Sequence, residues 1–237
     1  MSRDIDLLVQ PEAISQAAKL LLKLGYAPQL PCHPPAVANW HRRSKESVWA
    51  GPSGHVLELH SRLNDNPGLM RQVTAQSPSR LVQVASGILL PTLQEPALLA
   101  YLAVHGASSA WFRLKWLADF ANLLRGRTTA ELNMIHQTML ALGSGRASGL
   151  ALLLAQRVFA LPIAPELQAQ LEADPRVRWL AGESLRQLEV KAEPTQRLLG
   201  TVGIHLAQTL IGYGWSFPLH EGQRRLAEVV GRKLIRG

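Results

Sequence analysis

The sequence predicts an α+β fold: a small mixed sheet with helices over residues 1–93, followed by an all-helical C-terminal domain over residues 94–237. Three observations lead there. Short apolar runs bounded by Pro and Gly occur in the first third of the chain, which is the pattern of strands and turns. Beyond Glu95 every readable segment has helical spacing instead. An apolar content of 47% with 18% charged residues, over 237 residues, is enough to build a true core.

The first strand is Asp4-Ile5-Asp6-Leu7-Leu8-Val9. Side chains at i and i+2 of a strand share a face, so Asp4 and Asp6 project together and Ile5 and Leu7 point the other way. Two carboxylates on one face repel unless a cation lies between them, and Mg²⁺ is commonly held by one or two carboxylates plus substrate phosphates. A solvated, frayed strand start is the alternative for this motif. Pro11-Glu12 then opens a helix that Gly25 closes, because Pro suits the first turn and an acid there favours the helix dipole. Pro28, Pro31, Pro34 and Pro35 predict a loop that is neither helix nor central strand.

A hairpin is expected next, with Asn39 to Ala50 as one arm, Gly51-Pro52-Ser53-Gly54 as the turn and His55-Val56-Leu57-Glu58-Leu59-His60 as the return. On the return strand Val56, Glu58 and His60 share a face. A Glu at a core-directed position needs a task, unless this is an edge strand with its polar face in water. From Asn64 to Leu93 the pattern is weak, with Ser79 to Pro91 read as a short strand and loop leading away from the first unit. Helices are predicted over Leu98–His105, Trp111–Leu124, Thr129–Leu142, Gly149–Ala160, Pro165–Leu188, Pro194–Ile211 and Glu221–Ile235.

Composition restricts the function classes. A formal net charge of +8 suggests an anionic partner, whether nucleotide, nucleic acid or acidic membrane surface. One cysteine, Cys32, excludes an internal disulfide and Cys-rich zinc sites, which fits a reducing, cytoplasmic setting. No secretory leader is expected, since Asp4 and Asp6 sit where a basic segment would be. The longest weakly charged stretch, Leu198 to Leu219, holds four glycines, His205 and Gln208 and makes a poor membrane span.

The order of a strand with Asp-x-Asp, a helix, a hairpin strand with a lone Glu, and then helices resembles the nucleotidyltransferases of the DNA polymerase β-like superfamily. More narrowly it resembles the uncharacterised nucleotidyltransferase family, often met in bacterial polysaccharide-related gene neighbourhoods. The matching residues are Arg3-Asp4-Ile5-Asp6-Leu7-Leu8-Val9, Leu57-Glu58-Leu59-His60, and the block from His105-Gly106-Ala107 through Trp111-Phe112-Arg113-Leu114-Lys115-Trp116-Leu117-Ala118-Asp119.

The resemblance implies that Asp4 and Asp6 bind Mg²⁺ bridging the phosphates of a nucleoside triphosphate. It implies that Glu58 completes a carboxylate trio and helps to position or deprotonate an acceptor hydroxyl of unknown identity. Arg3, His60, Arg113 and Lys115 are the expected nucleotide contacts. Superfamily members also carry a glycine turn before the Asp-x-Asp strand, whose backbone amides hold the triphosphate. Only Met1, Ser2 and Arg3 precede Asp4 here, so the expectation is an N-terminally shortened member, or a start upstream of Met1. A sheet without that strand has an exposed edge beside Asp4 and Asp6.

Other features have plainer readings beside the functional ones. Lys115 can pair with Asp119 one turn on, and His105 can serve as a helix C-terminal cation. Gly143 to Gly149 follows a helix rather than a strand and has the wrong spacing for a phosphate loop, so it reads as an inter-helix turn. Trp40 and Trp49 can stack on a base or simply pack in the core. The C-terminal Arg224, Arg225, Arg232, Lys233 and Arg236 can lie on RNA or an anionic membrane surface, or form a solvated basic face. The alternative to an enzyme is therefore a catalytically degenerate relative, or a basic helical binding protein for RNA or membrane.

Overall fold

The computed structural model describes residues 4–190, 192–198 and 200–224, with Asp4 and Thr195 described by their backbone alone. The predicted Glu221–Ile235 helix therefore lies largely outside the described residues, as does Arg3. The chain divides into two compact units, one formed by residues 1–67 and 72–78, the other by residues 68–71 and 79–237.

The first unit is an α/β layer. Its elements are β1 (Asp4–Leu8), α1 (Ile14–Lys23), β2 (Ala27–Leu30), α2 (Val37–Trp40), β3 (Glu46–Ala50) and β4 (Val56–His60). The strands form one mixed sheet in the order β1-β4-β3-β2, with β1 parallel to β4 and the other pairs antiparallel. Helix α1 follows the residues Pro11–Ala13, which form a single 3-10 turn with Pro at its start. Ile14, Ala18 and Leu21 recur at helical spacing and form a core with Val37, Trp49, Leu57 and Leu59. Residues 49, 57 and 59 share strand parity, so one face of the sheet is spent on this core and the opposite face carries position 58.

Two expectations in this unit need correction. The Pro-rich stretch holds an edge strand, β2, because Pro28 lacks only a donor that an edge strand can spare. The hairpin arm is shorter than Asn39 to Ala50: Val37–Trp40 is a helical turn and β3 begins at Glu46. Strand β4 lies between β1 and β3 and is not an edge, while β1 lies at the end of the strand order.

In the second unit a two-stranded antiparallel hairpin, β5 (Ser79–Ala85) and β6 (Ile88–Leu93), precedes the helices. These are α3 (Glu95–Ser108), α4 (Leu114–Leu123), α5 (Thr129–Ala141), α6 (Ala147–Phe159), α7 (Pro165–Ala173), α8 (Pro175–Glu189) and α9 (Val202–Leu210). Helix α6 is the axis. Every residue from Ala147 to Ala155 is buried, as expected of a helix that is apolar on all sides, and it packs against α3, α4, α5, α7 and α8.

Helix α4 starts three residues later than the periodicity predicts. Ala110 and Trp111 take left-handed backbone angles, and the Trp111 amide bonds back to the Gly106 carbonyl at 2.8 Å. This buries the Trp111 ring where a Cβ on Gly106 would stand 2.5 Å from it. The single helix expected over Pro165–Leu188 is two helices. Asp174 is extended and caps α8 by accepting from the Arg176 amide at 2.8 Å, and Pro175 occupies the first turn.

Candidate functional site

Four side chains meet on the sheet face opposite the core. The parallel register sets Asp6 beside Glu58 and Leu8 beside His60, and the antiparallel register sets Glu46 of β3 beside His60. Paired residues project to the same face, so Asp6, Glu58, His60 and Glu46 form a patch spanning three strands. Asp4 lies two residues before Asp6 in β1, paired with Val56, with only its backbone described.

His60 is the centre of this patch and is buried. Its Nε2 lies 3.3 Å from Asp6 Oδ1, 3.4 Å from Glu58 Oε2 and 3.8 Å from Glu46 Oε2. Burial pushes the imidazole toward its neutral form, but the hydrogen bonds with Asp6 and Glu58 and the charge of Glu46 outweigh this, raising its pKa above the ordinary value. The same hydrogen bond from His60 holds the Asp6 carboxyl below its usual range, against the effect of partial burial. Lys45 pairs with Glu46 at the rim, and its amide is anchored by Asp65 Oδ1 at 2.9 Å.

Beneath the patch a second histidine is held neutral. His41 has Nδ1 against Ser61 Oγ at 2.9 Å and Nε2 against Ser47 Oγ at 3.0 Å. Burial, assisted by the charge of Arg62, lowers its pKa to about 4. Ser47 also accepts from the Trp49 indole at 3.0 Å, which links the support of the patch to the core.

The donor set fits a divalent cation. Asp6, Glu58 and His60 each offer one ligand atom, and these atoms all lie within 4.8 Å of one another. Two carboxylates supply the charge that a hard cation requires, and an imidazole is a common further ligand.

A family model described as uncharacterised nucleotidyltransferase matches residues 1–160. The chain belongs to this family. The match spans the whole sheet unit and the helical unit through α6, so the patch lies inside it. Membership supports nucleotidyl transfer as the general activity, with a nucleotide as substrate. No curated protein and no solved structure matches the chain.

The remaining predicted contacts belong to the helical unit or lie outside the described residues. Arg113, which precedes α4, is exposed and pairs with Glu193 Oε1 at 2.8 Å, with its guanidinium over the Phe112 and Trp116 rings. Lys115 pairs with Asp119 Oδ2 at 2.7 Å across one helical turn. His105, in the last turn of α3, lies edge-on to Trp116. Trp49 is core, and Trp40 donates its indole N–H to the Glu46 carbonyl at 2.7 Å. Gly143 to Gly145 form the turn between α5 and α6, where Gly145 has φ +59° and a Cβ would stand 2.4 Å from the Ile211 carbonyl oxygen.

Glu46 was not among the sequence-predicted residues. Strand parity carried the signal, since positions 46, 48 and 50 alternate with the core positions 47 and 49, but it becomes useful only with the β3–β4 register.

Proposed function

We propose that this chain is a divalent-cation-dependent nucleotidyltransferase that moves a nucleoside monophosphate from a nucleoside triphosphate to an acceptor hydroxyl, in a cytoplasmic setting. The convergence of Asp6 and Glu58 from two parallel, adjacent strands, inside the region matched by the family, is the observation that carries this reading. Asp4 and Asp6, with Glu58, are the groups that would hold the cation, Mg²⁺ being the ion an all-carboxylate set takes. When bound, such a cation neutralises phosphate charge and makes the acceptor hydroxyl easier to deprotonate.

The chain's own residues supply the rest. Glu58 accepts the proton of the acceptor hydroxyl as that oxygen bonds to the α-phosphorus and the bond to the pyrophosphate oxygen breaks. His60 fixes the rotamers of Asp6 and Glu58 through its contacts at 3.3 Å and 3.4 Å. Arg3, next to β1 in the sequence of the sheet unit, is the cation proposed for the phosphates, while Arg113 and Lys115 hold Glu193 and Asp119 within the helical unit.

The test is pyrophosphate release from each nucleoside triphosphate, with a panel of hydroxyl acceptors and Mg²⁺ or Mn²⁺. Wild-type chain should release pyrophosphate only when the cation is present. Glu58→Gln should lower the rate by at least about a hundredfold, the scale of losing a positioned base, with unchanged circular dichroism. Equal release by Glu58→Gln or Asp6→Asn would overturn the assignment.

A further inference from the structure

An imidazole is the unusual member of the donor set. Mg²⁺ takes oxygen ligands and gives up water reluctantly, whereas first-row transition ions accept imidazole nitrogen readily. A nucleotide site built for Mg²⁺ alone has no need of a nitrogen in its coordination shell. Here the nitrogen is at the centre. His60 Nε2 is the atom from which Asp6 Oδ1 and Glu58 Oε2 are measured at 3.3 Å and 3.4 Å. Donors bound to one ion at about 2.1 Å stand about 3.0 Å apart at the corner of an octahedron and about 3.4 Å apart in a tetrahedron. These two distances fall in that range, and all three donor atoms lie within 4.8 Å of one another.

The surroundings hold the imidazole in this place. His60 is 4% exposed, on the central strand β4, between β1 and β3. Asp6 and Glu58 are more open, with side chains 56% and 24% exposed, leaving room for substrate oxygens and water on the outer side. Glu46 stands 3.8 Å from Nε2 and is tied to Lys45, so the third negative charge near the nitrogen is partly balanced. The arrangement is a carboxylate–imidazole–carboxylate set with one closed side and one open side.

We infer that His60, giving up its Nε2 proton to solvent as the ion binds, is a direct metal ligand and that it makes the site select a first-row transition ion over Mg²⁺. This deepens the proposed function and rests on Asp6 and Glu58 holding a cation at all. The consequence is a nucleotidyltransferase centre whose resident ion is set by one nitrogen donor, with Asp6 and Glu58 supplying charge and His60 supplying preference.

The experiment uses Mn²⁺ as the probe on the full chain at neutral pH. Titration by electron paramagnetic resonance measures Mn²⁺ affinity, competition with Mg²⁺ measures preference, and electron spin echo modulation detects a directly bound ¹⁴N. The expected result is a nitrogen-coupled Mn²⁺ bound at least about tenfold more tightly than Mg²⁺, the scale on which altered ligation moves metal affinity. His60→Gln should abolish the nitrogen coupling and remove the preference, while Asp6→Asn should weaken Mn²⁺ and Mg²⁺ alike. The nitrogen signal is read on wild-type protein, so it holds even if His60→Gln folds poorly.

Bound Mn²⁺ without nitrogen coupling, or equal affinity for the two ions, overturns the inference and leaves the transfer reaction standing. Coupling that persists in His60→Gln overturns it as well. No binding of either ion removes both the inference and the cation dependence of the reaction. Nitrogen-coupled Mn²⁺ with no pyrophosphate release under any condition keeps the ligand assignment and removes the transfer reading.

Discussion

Two buried histidines, His136 and His41, make this molecule sensitive to acid. His136 on α5 is buried with no hydrogen-bond partner on Nδ1 among the described residues. Desolvation lowers its pKa to about 4, whereas an unfolded histidine titrates near 6.5. The unfolded state therefore binds more protons between those two values, and stability falls as pH falls through that window. His136 contributes a loss of up to about 3 kcal/mol by pH 4, and His41 acts in the same direction. Urea denaturation at pH 7 and pH 5 should show the wild type losing more stability on acidification than His136→Met, which keeps an apolar side chain in the same space. Equal losses would show that His136 does not titrate as described. The site was partly legible at this scale: the i, i+2 spacing of Asp4 and Asp6 and the placement of Glu58 and His60 on one face follow from strand parity. Glu46 was not, because its neighbour His60 lies fourteen residues away and only the β3–β4 register joins them.

The elements of the helical unit are held by polar staples as well as by α6. Arg146, at the N-terminal end of α6, bonds Asp174 Oδ2 at 2.7 Å and the Leu210 carbonyl at 3.3 Å, and it also bonds the Gly212 carbonyl. Its guanidinium lies 4.5 Å from the centre of the Tyr213 ring. One cation thus serves the C-terminal carbonyls of α9 and the residue that caps α8. Arg146→Met keeps the bulk and removes those bonds, so it should cost about 3 kcal/mol, the scale of breaking one side of a largely buried pair. Chemical denaturation would measure it, and a loss below about 0.5 kcal/mol, that of an ordinary surface change, would refute the staple. This staple was invisible in sequence because Arg146 sits in a Gly-Ser-rich run whose neighbours are 28 and 64 residues away. The break between α7 and α8 was visible in principle, as Asp174-Pro175 is a cap followed by a first-turn proline. Continuous apolar spacing from Leu167 to Leu188 concealed it. The helical character of the C-terminal half, by contrast, followed directly from periodicity.

Across the whole molecule, charge and fold are arranged in opposite senses. The chain has 25 Lys and Arg against 17 Asp and Glu, a formal charge of +8, yet one face of its sheet gathers Asp6, Glu46 and Glu58 around a single histidine. A basic molecule attracts a triphosphate over distance, and an acidic patch tolerates one only with a cation between them. The order of sheet unit before helices was legible because strands and helices differ in period. The place of β5 and β6 was not, since an exposed apolar hairpin has no pattern that assigns it to either unit. The most direct measurement is a crystal structure of the full chain with Mn²⁺ and a nucleoside triphosphate whose α,β-bridge resists cleavage. Anomalous scattering should place the ion in contact with the Asp6 and Glu58 carboxylates and with phosphate oxygens of the nucleotide. A nucleotide bound elsewhere on the chain, or bound without a metal between it and those carboxylates, would contradict the account.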